Sequence, residues 1–405
     1  MFKRILLATL VTILMIAATK YVESTPTGKG VEKLIFANLQ RLLPPFSEDL
    51  PIVVVDMSKI PGGKDQVTSR EALKRTLTAI VAQRPSAVGI DVDFSPDVDG
   101  WQALEDPSFF KYCLQLREES KVPIYLGVGR TMASNSDTWL GHRDYQTLAA
   151  ALRTEDDRMR LPKWIQAKGS NDRLPLMSAA LATSYLSKHE NVAARISRTV
   201  EVFTAGKEIE VRGENDVPFG MSLVNYSRLP QIQREISFML TPAAIAESGR
   251  VFTDKMVLIG DATNSYEKFN IPGHDSPIPG VFLIACAAYT LAIEPLYELN
   301  TATRLVLDLL ISMFIIAGLE FLRSRYVNKI AGSRFYKAQG RFLFIVIASI
   351  WVLGLILVVW LNIMWFDFPL VTLAWLLHPR VEHFLVGSWK KLRGKSTSRK
   401  APSTE

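Results

Sequence analysis

The stretch from Met256 to Ala292, MVLIGDATNSYEKFNIPGHDSPIPGVFLIACAAYTLA, constrains this chain more than any other. Its apolar opening, Met256–Gly260, reads as a strand buried on both faces. A turn-rich loop follows, and Pro279-Gly280 opens an apolar helix. The connector Glu298–Arg304 then leads into a long hydrophobic run beginning at Leu305. A folded domain is therefore joined to the bilayer here, through a connector too short to decouple the two.

Charge is divided along the chain in a way that bears on partners. Residues 23–303 carry 30 Lys and Arg against 35 Asp and Glu, whereas the remainder carries 17 against 5. The overall excess of +7 could suggest nucleic acid, but the basic residues sit beside the hydrophobic runs. There they fix membrane orientation and meet anionic headgroups, so no nucleic-acid partner is expected. Two cysteines, Cys113 and Cys286, fall in predicted helices and are no disulfide framework. The domain must hold itself together with a packed core.

Four hydrophobic segments set the expected topology. Ile5–Thr19 is uncharged, follows Lys3 and Arg4, and reads as an uncleaved anchor rather than a signal peptide. Leu305–Leu322 contains Asp308 and Glu320, each with a basic residue at helical spacing, Arg304 and Arg323, so locally paired, snorkelling charges are expected. Phe342–Leu361 is uncharged and long enough to cross ~30 Å of hydrocarbon. A last span, about residues 368–389, is interrupted by His378, Pro379, Arg380 and Glu382. The basic loop 323–341 and the basic tail 390–405 belong on the cytoplasmic side. The expected order is an anchor (1–22), an exported domain (23–303), three membrane helices (304–389) and a cytoplasmic tail. Both termini are then inside and the chain lies in a bacterial inner membrane.

Within 23–303, the strands Ile52–Asp56, Ala87–Phe94 and Val122–Val128 alternate with helices over Ser69–Gln83 and Trp101–Glu119. That alternation predicts a parallel, right-handed α/β layer. An amphipathic helix is expected over Val31–Leu42, and another helix over Leu174–Leu186. A hairpin is expected over Ile196–Phe203 and Glu208–Val211, a sheet strand over Ser222–Tyr226, and a helix over Pro242–Glu247. Thr131–Arg173 shows no clear pattern. The fold class is thus α/β, a mostly parallel sheet with flanking helices, plus one N-terminal and three C-terminal transmembrane helices.

Strands end in Asp56, in Asp91 and Asp93, and in Asp261, followed at Thr263 by a second oxygen ligand. The carboxyl ends of strands in open α/β sheets are where ligands bind, and clustered acids there could hold Mg²⁺ for phosphoryl chemistry. Strand-end Asp is also a common turn and cap residue. No Walker loop, HExxH or nucleophile elbow occurs, and His142, His189 and His274 are scattered. A catalytic site, a metal site and a cofactor are therefore not expected. Asp56, Asp91, Asp93, Asp261 and Thr263 remain candidate ligand residues.

The order of these features resembles the type 2 cyclase- and histidine-kinase-associated sensory extracellular domain, CHASE type 2. IVVVD at 52–56, AVGIDVDF at 87–94 and LPLMSAALATSYL at 174–186 carry the resemblance, with SLVNY at 222–226, MVLIGDAT at 256–263, FNIP at 269–272 and PIPGV at 277–281. Three hydrophobic segments follow in the family's order. The family has polar residues where Phe282, Ile284 and Cys286 stand here, and an aromatic-Pro-aromatic segment that is missing before Arg70. The resemblance implies an extracytoplasmic sensory domain, usually preceding a cytoplasmic cyclase, kinase or phosphatase. Only a short basic, Ser/Thr-bearing stretch, 390–405, follows the last span here, so a non-catalytic sensor or accessory subunit acting on a separate partner is expected. Pro272, Pro279 and Gly280 are its candidate coupling residues, and homodimerisation is left open. An envelope assembly protein, or a metal-dependent hydrolase using the four aspartates, are the alternatives.

Overall fold

The computed structural model describes residues 17, 21–22, 24–43, 49–58, 60, 68–96, 101–129, 139–152, 159–167, 173–189, 216–219, 221–234, 245, 249–263, 268–299, 301–326, 332–365 and 372. They fall into two compact units, one spanning Ala37–Glu298 and the other combining Leu299–Glu405 with the residues up to Phe36. The anchor segment Ile5–Thr19, the hairpin over 196–211, the helix over 242–247, the last span and the basic tail lie outside the described residues, apart from Ala17, Ile245 and Thr372.

The first helix, α1 (Pro26–Gln40), leads to β1 (Ile52–Asp56), α2 (Arg70–Val81), β2 (Ala87–Asp93), α3 (Asp106–Ser120), β3 (Ile124–Val128) and β4 (Ala149–Ala151). Short strands follow, β5 (Arg160–Leu161), β6 (Trp164–Ala167) and β7 (Arg173–Pro175), then α4 (Met177–Lys188). After β8 (Asp216–Phe219), β9 (Ser222–Leu223) and α5 (Leu229–Arg234) comes β10 (Met256–Gly260). The unit closes with β11 (Lys268–Phe269), β12 (Ile278–Pro279) and α6 (Gly280–Ala292).

The central sheet has the order β1-β10-β2-β3-β4, and all of its pairings are parallel. The chain moves from β1 to β3 through α2 and α3, then returns through α4 to place β10 between β1 and β2. With right-handed crossovers, motion in opposite directions puts helices on opposite faces. Accordingly Val53, Val55, Val88, Ile90, Val257 and Ile259 share a buried cluster with Leu73 and Leu77 of α2 and Phe109 and Phe110 of α3. On the other face Gly89 lies against Met177 and Leu181 of α4, and Gly260 against Val281 of α6. With both faces covered, these strands read as apolar runs rather than alternations.

Local chemistry sets the helix ends. Ser69 caps α2, its Oγ accepting from the amide of Ala72 at 3.3 Å, and Lys121 ends α3 in the left-handed region at φ 61°. α6 has no side-chain cap and is buried on nearly every side, as a helix apolar all round must be. Its small residues and those of α4 let the two helices pack together.

Three sequence expectations change. The unpatterned region 131–173 contributes β4 to the central sheet, while β6 pairs with β7 and β8 in a separate antiparallel sheet. The expected helix over 174–186 begins at Met177, because Arg173–Pro175 is strand. Of Ser222–Tyr226, only Ser222–Leu223 is strand, antiparallel to β5 and away from the central sheet. Asn225 stops it by folding into a turn, its Oδ1 accepting from the Ser227 amide at 2.9 Å.

In the second unit, α7 (Thr301–Tyr326) and α8 (Gly332–Leu361) are long helices. Their segments Ala302–Leu322 and Ala338–Leu361 are long and apolar enough to cross a membrane, since ~20 residues at about 1.5 Å each match ~30 Å. Arg304 and Asp308 are buried rather than snorkelled, and Arg304 Nε donates to the Leu299 carbonyl at 2.8 Å.

β2 and β3 slip register between Ile90 and Asp93, so that Asp93 pairs with Gly127. The bulge brings the Val92 carbonyl over Gly127, where a Cβ would lie 2.5 Å from that oxygen. Gly127→Ala is expected to destabilise the unit by about 2 kcal/mol, lowering its thermal midpoint by roughly 5 °C in calorimetry of the full chain.

Candidate functional site

The strand-end aspartates do gather at one edge. Because β10 lies between β1 and β2, Asp56, Asp261 and Asp93 end or follow neighbouring strands at the carboxyl edge of the sheet. Asp91 sits beside β10, its Cβ 3.0 Å from where a Cβ on Gly260 would be. Their oxygens serve the backbone. Buried Asp56 accepts from the amides of Ser58 (3.0 Å) and Ala262 (3.1 Å) through Oδ1, and from Ser58 Oγ (2.8 Å) through Oδ2. It thereby ties the loop after β1 to the loop after β10. Asp93 Oδ1 accepts from the amides of Ser95 and Gly129, both at 2.8 Å, and from Ser95 Oγ. Asp261 Oδ1 accepts from Thr263 at both its amide (2.8 Å) and Oγ1 (3.0 Å). Each of these Oδ1 atoms holds two backbone N–H donors, so Asp56 and Asp93 act here as turn clamps.

Two of the three candidate coupling residues, Pro279 and Gly280, stand at the start of α6. Pro279 is its N-cap and pairs with Lys268 across the β11–β12 ladder. Gly280 lies under the Phe269 ring, where a Cβ would come within 3.0 Å of Cε2. Pro272 precedes Gly273, which turns at φ 85° against Ala37 of α1.

Among the described residues, a densely bonded polar group lies at the other end of α6. Asn225 is fully buried. Its amide donates to Thr290 Oγ1 at 2.8 Å and its Nδ2 to Glu294 Oε2 at 3.0 Å. Arg228, also buried, reaches both oxygens of Glu294 at 2.8–3.2 Å. Burial works against its charge, but the hydrogen bonds it donates to Glu294 and the negative charge of that carboxylate together outweigh burial and hold the guanidinium above its ordinary pKa. Burial likewise pushes the nearby Tyr289 hydroxyl up. One step further along the chain, Arg160 Nε grips Glu298 Oε2 at 2.7 Å. From the N-terminal side, Gln40 at the end of α1 donates to the Val224 carbonyl at 2.8 Å and accepts from the Tyr226 amide at 3.2 Å. The segments by which the chain enters and leaves this unit are thus bonded to one turn, Val224–Arg228.

A third polar group lies on the opposite face of the sheet from Asp56 and Asp91. Arg70, the first residue of α2, donates through Nε to Asp106 Oδ1 at 2.6 Å, and both side chains are 2 % exposed. Its guanidinium stands 4.4 Å from the Phe94 ring centroid. Asp106, the first residue of α3, gives its other oxygen to the amides of Gln102 and Ala103, each at 2.9 Å. Phe94 belongs to an aromatic cluster with Phe109 and Phe110, which Trp139 joins by donating its indole N–H to the Phe94 carbonyl at 3.0 Å. Cys113 and Cys286 are buried free thiols whose pKa burial raises, leaving them unreactive.

The CHASE2 domain family matches residues 8–319, from the N-terminal hydrophobic stretch into α7. This chain belongs to the CHASE2 family. CHASE2 domains are extracellular sensory domains. No curated protein and no solved structure matches the chain.

Sequence reasoning missed the exit network of this CHASE2 domain because its partners are far apart, Asn225 and Glu294 by 69 positions and Arg160 and Glu298 by 138. The local signal was Asn225 before Ser227, an Asx-turn pair that argued against a strand through Tyr226. Removing Glu294 leaves Arg228 buried without its counter-charge. Glu294→Ala is expected to cost about 3 kcal/mol, whereas replacing both residues by Met should recover most of that loss. Thermal unfolding of the two variants beside wild type measures the difference.

Proposed function

We propose that this chain is a membrane-bound extracytoplasmic sensor or accessory signalling subunit, without catalytic activity of its own, that passes an envelope signal to a separate partner. The observation that carries this reading is the convergence of Gln40, Asn225, Arg228 and Glu294 on one turn. A ligand changes output only by binding two arrangements of a protein unequally, and a bistable element is best placed where the chain crosses between domain and bilayer. The coupling route runs from Pro272, Pro279 and Gly280 along α6 to Glu294 and Glu298, and then through two residues into α7. The carboxyl edge, with Asp91, Asp261 and Thr263 beside the clamps Asp56 and Asp93, is the receiving face. The topology that goes with this function has residues 23–303 outside a bacterial inner membrane, four spans, and the basic stretch 323–341, which ends α7 and begins α8, inside with both termini.

Two measurements on cells test it. The native thiols are buried, so Leu104→Cys is expected to react with a membrane-impermeant maleimide from outside, and Lys329→Cys only after permeabilisation. Photocrosslinking from the stretch 323–341 is expected to capture a signalling protein, with a yield that changes several-fold in the Arg228→Met/Glu294→Met variant. Reversed labelling overturns the topology. A stoichiometric partner found on the outer side alone, indifferent to that variant, would make this an envelope assembly protein instead.

A further inference from the structure

We propose that the guanidinium of Arg70 is one wall of a binding site for a small oxyanion, a carboxylate or a phosphate, where α2 and α3 begin. Arg70 has bonded partners for Nε and Nη1, namely Asp106 and, at 3.2 Å, the Thr68 carbonyl. Its Nη2 is buried with no acceptor among the described residues. The reason is visible in Asp106. A carboxylate facing the Nε–Nη2 edge of an arginine ordinarily takes both N–H groups, but Asp106 Oδ2 is held by Gln102 and Ala103, so half of the edge is left over. A buried charged donor without an acceptor costs more than a neutral one, and an oxyanion is the acceptor that fits a guanidinium.

The charge balance points the same way. Arg70 and Asp106 cancel, while each stands at the first position of a long helix, 12 and 15 residues. Each helix contributes about half a positive charge at its start. The group therefore carries roughly one unmatched positive charge, a match for a monoanion. The acidic residues of the carboxyl edge do not oppose this, since Asp56 and Asp91 lie on the far side of the sheet. Glu71 is exposed and bonded to Arg75 at 3.2 Å. The turn Trp101–Leu104, which carries the fully solvated Leu104 and is fastened through Asp106 Oδ2, shifts to admit the anion. The site gives the sensor reading a ligand class, and it stands or falls by direct binding, independent of any signalling output.

The test is calorimetric titration and thermal unfolding of the full chain in nanodiscs at about pH 6, where phosphate is mainly the monoanion, with sodium phosphate and sodium acetate in separate arms against sodium chloride at matched ionic strength. One of the two anions is expected to bind and raise the midpoint, and which one identifies the ligand type. Arg70→Lys keeps the charge and can still pair with Asp106, but it has no second N–H edge, so affinity is expected to fall about tenfold or more. Asp106→Asn leaves Arg70 uncompensated and is expected to tighten binding several-fold, a change in the direction that simple structural damage cannot produce. If Asp106→Asn does not accumulate, Arg70→Lys alone decides. No shift with either anion means that Nη2 is met by water and overturns the site. An equal shift in wild type and Arg70→Lys means an adventitious ion only, and overturns it too.

Discussion

Everything in the α/β unit depends on where β10 goes. Met256–Gly260 enters between β1 and β2, pairing with both in parallel register. Without it those two strands have no contact, and the return path through α4 has no reason to exist. Its placement fixes α6, which must cover the face that β10 and β1 present. It also brings Asp56 within 3.1 Å of the amide of Ala262, a residue 206 positions away. Pairing over such a distance carries a large loop-closure cost, and it is met by burial on both faces rather than by any local preference.

That physics explains how much could be read from the chain. IVVVD, AVGIDVD and MVLIG are continuous apolar runs because both faces are covered, and each belongs to the five-stranded sheet. Helices with a one-sided apolar stripe, such as Leu73, Leu77 and Ile80 in α2, were equally legible. The strand after Leu148 was not, because three alanines carry no pattern. Strands of two residues, like β5 and β9, fall below the length at which alternation means anything. The order of the sheet was not legible either: nothing local tells β10 to lie beside β1 instead of beyond β4.

The aspartates show why one residue type at the edge of a parallel sheet supports two readings of its role. Strand ends in a parallel sheet leave backbone amides without partners, and Asp is the residue that most easily supplies an acceptor to them. Asp56 and Asp93 therefore gather at one edge for the same reason that a ligand site would gather there. What separates the two roles is the count of bonds each oxygen already accepts, which only coordinates reveal. Arg70 is the converse. It looks like an ordinary helix-start residue in the sequence, yet its neighbours leave one of its nitrogens over.

The paired arginines and glutamates near the exit raise a question of purpose. A buried ion pair is a poor source of stability, because desolvation consumes most of the attraction, and apolar replacements often do as well. Arg228–Glu294 and Arg160–Glu298 are therefore better understood as fixing one arrangement among several of similar energy. Apolar contacts along α6 would tolerate a small rotation or slide, since small side chains pack acceptably in neighbouring registers. A two-pronged guanidinium on a carboxylate does not tolerate it. A helix buried by adaptable apolar contacts at its start and locked by directional polar ones at its end has two discrete options, locked or released. That is the property a domain needs if an event at its far edge is to be felt where the chain leaves it.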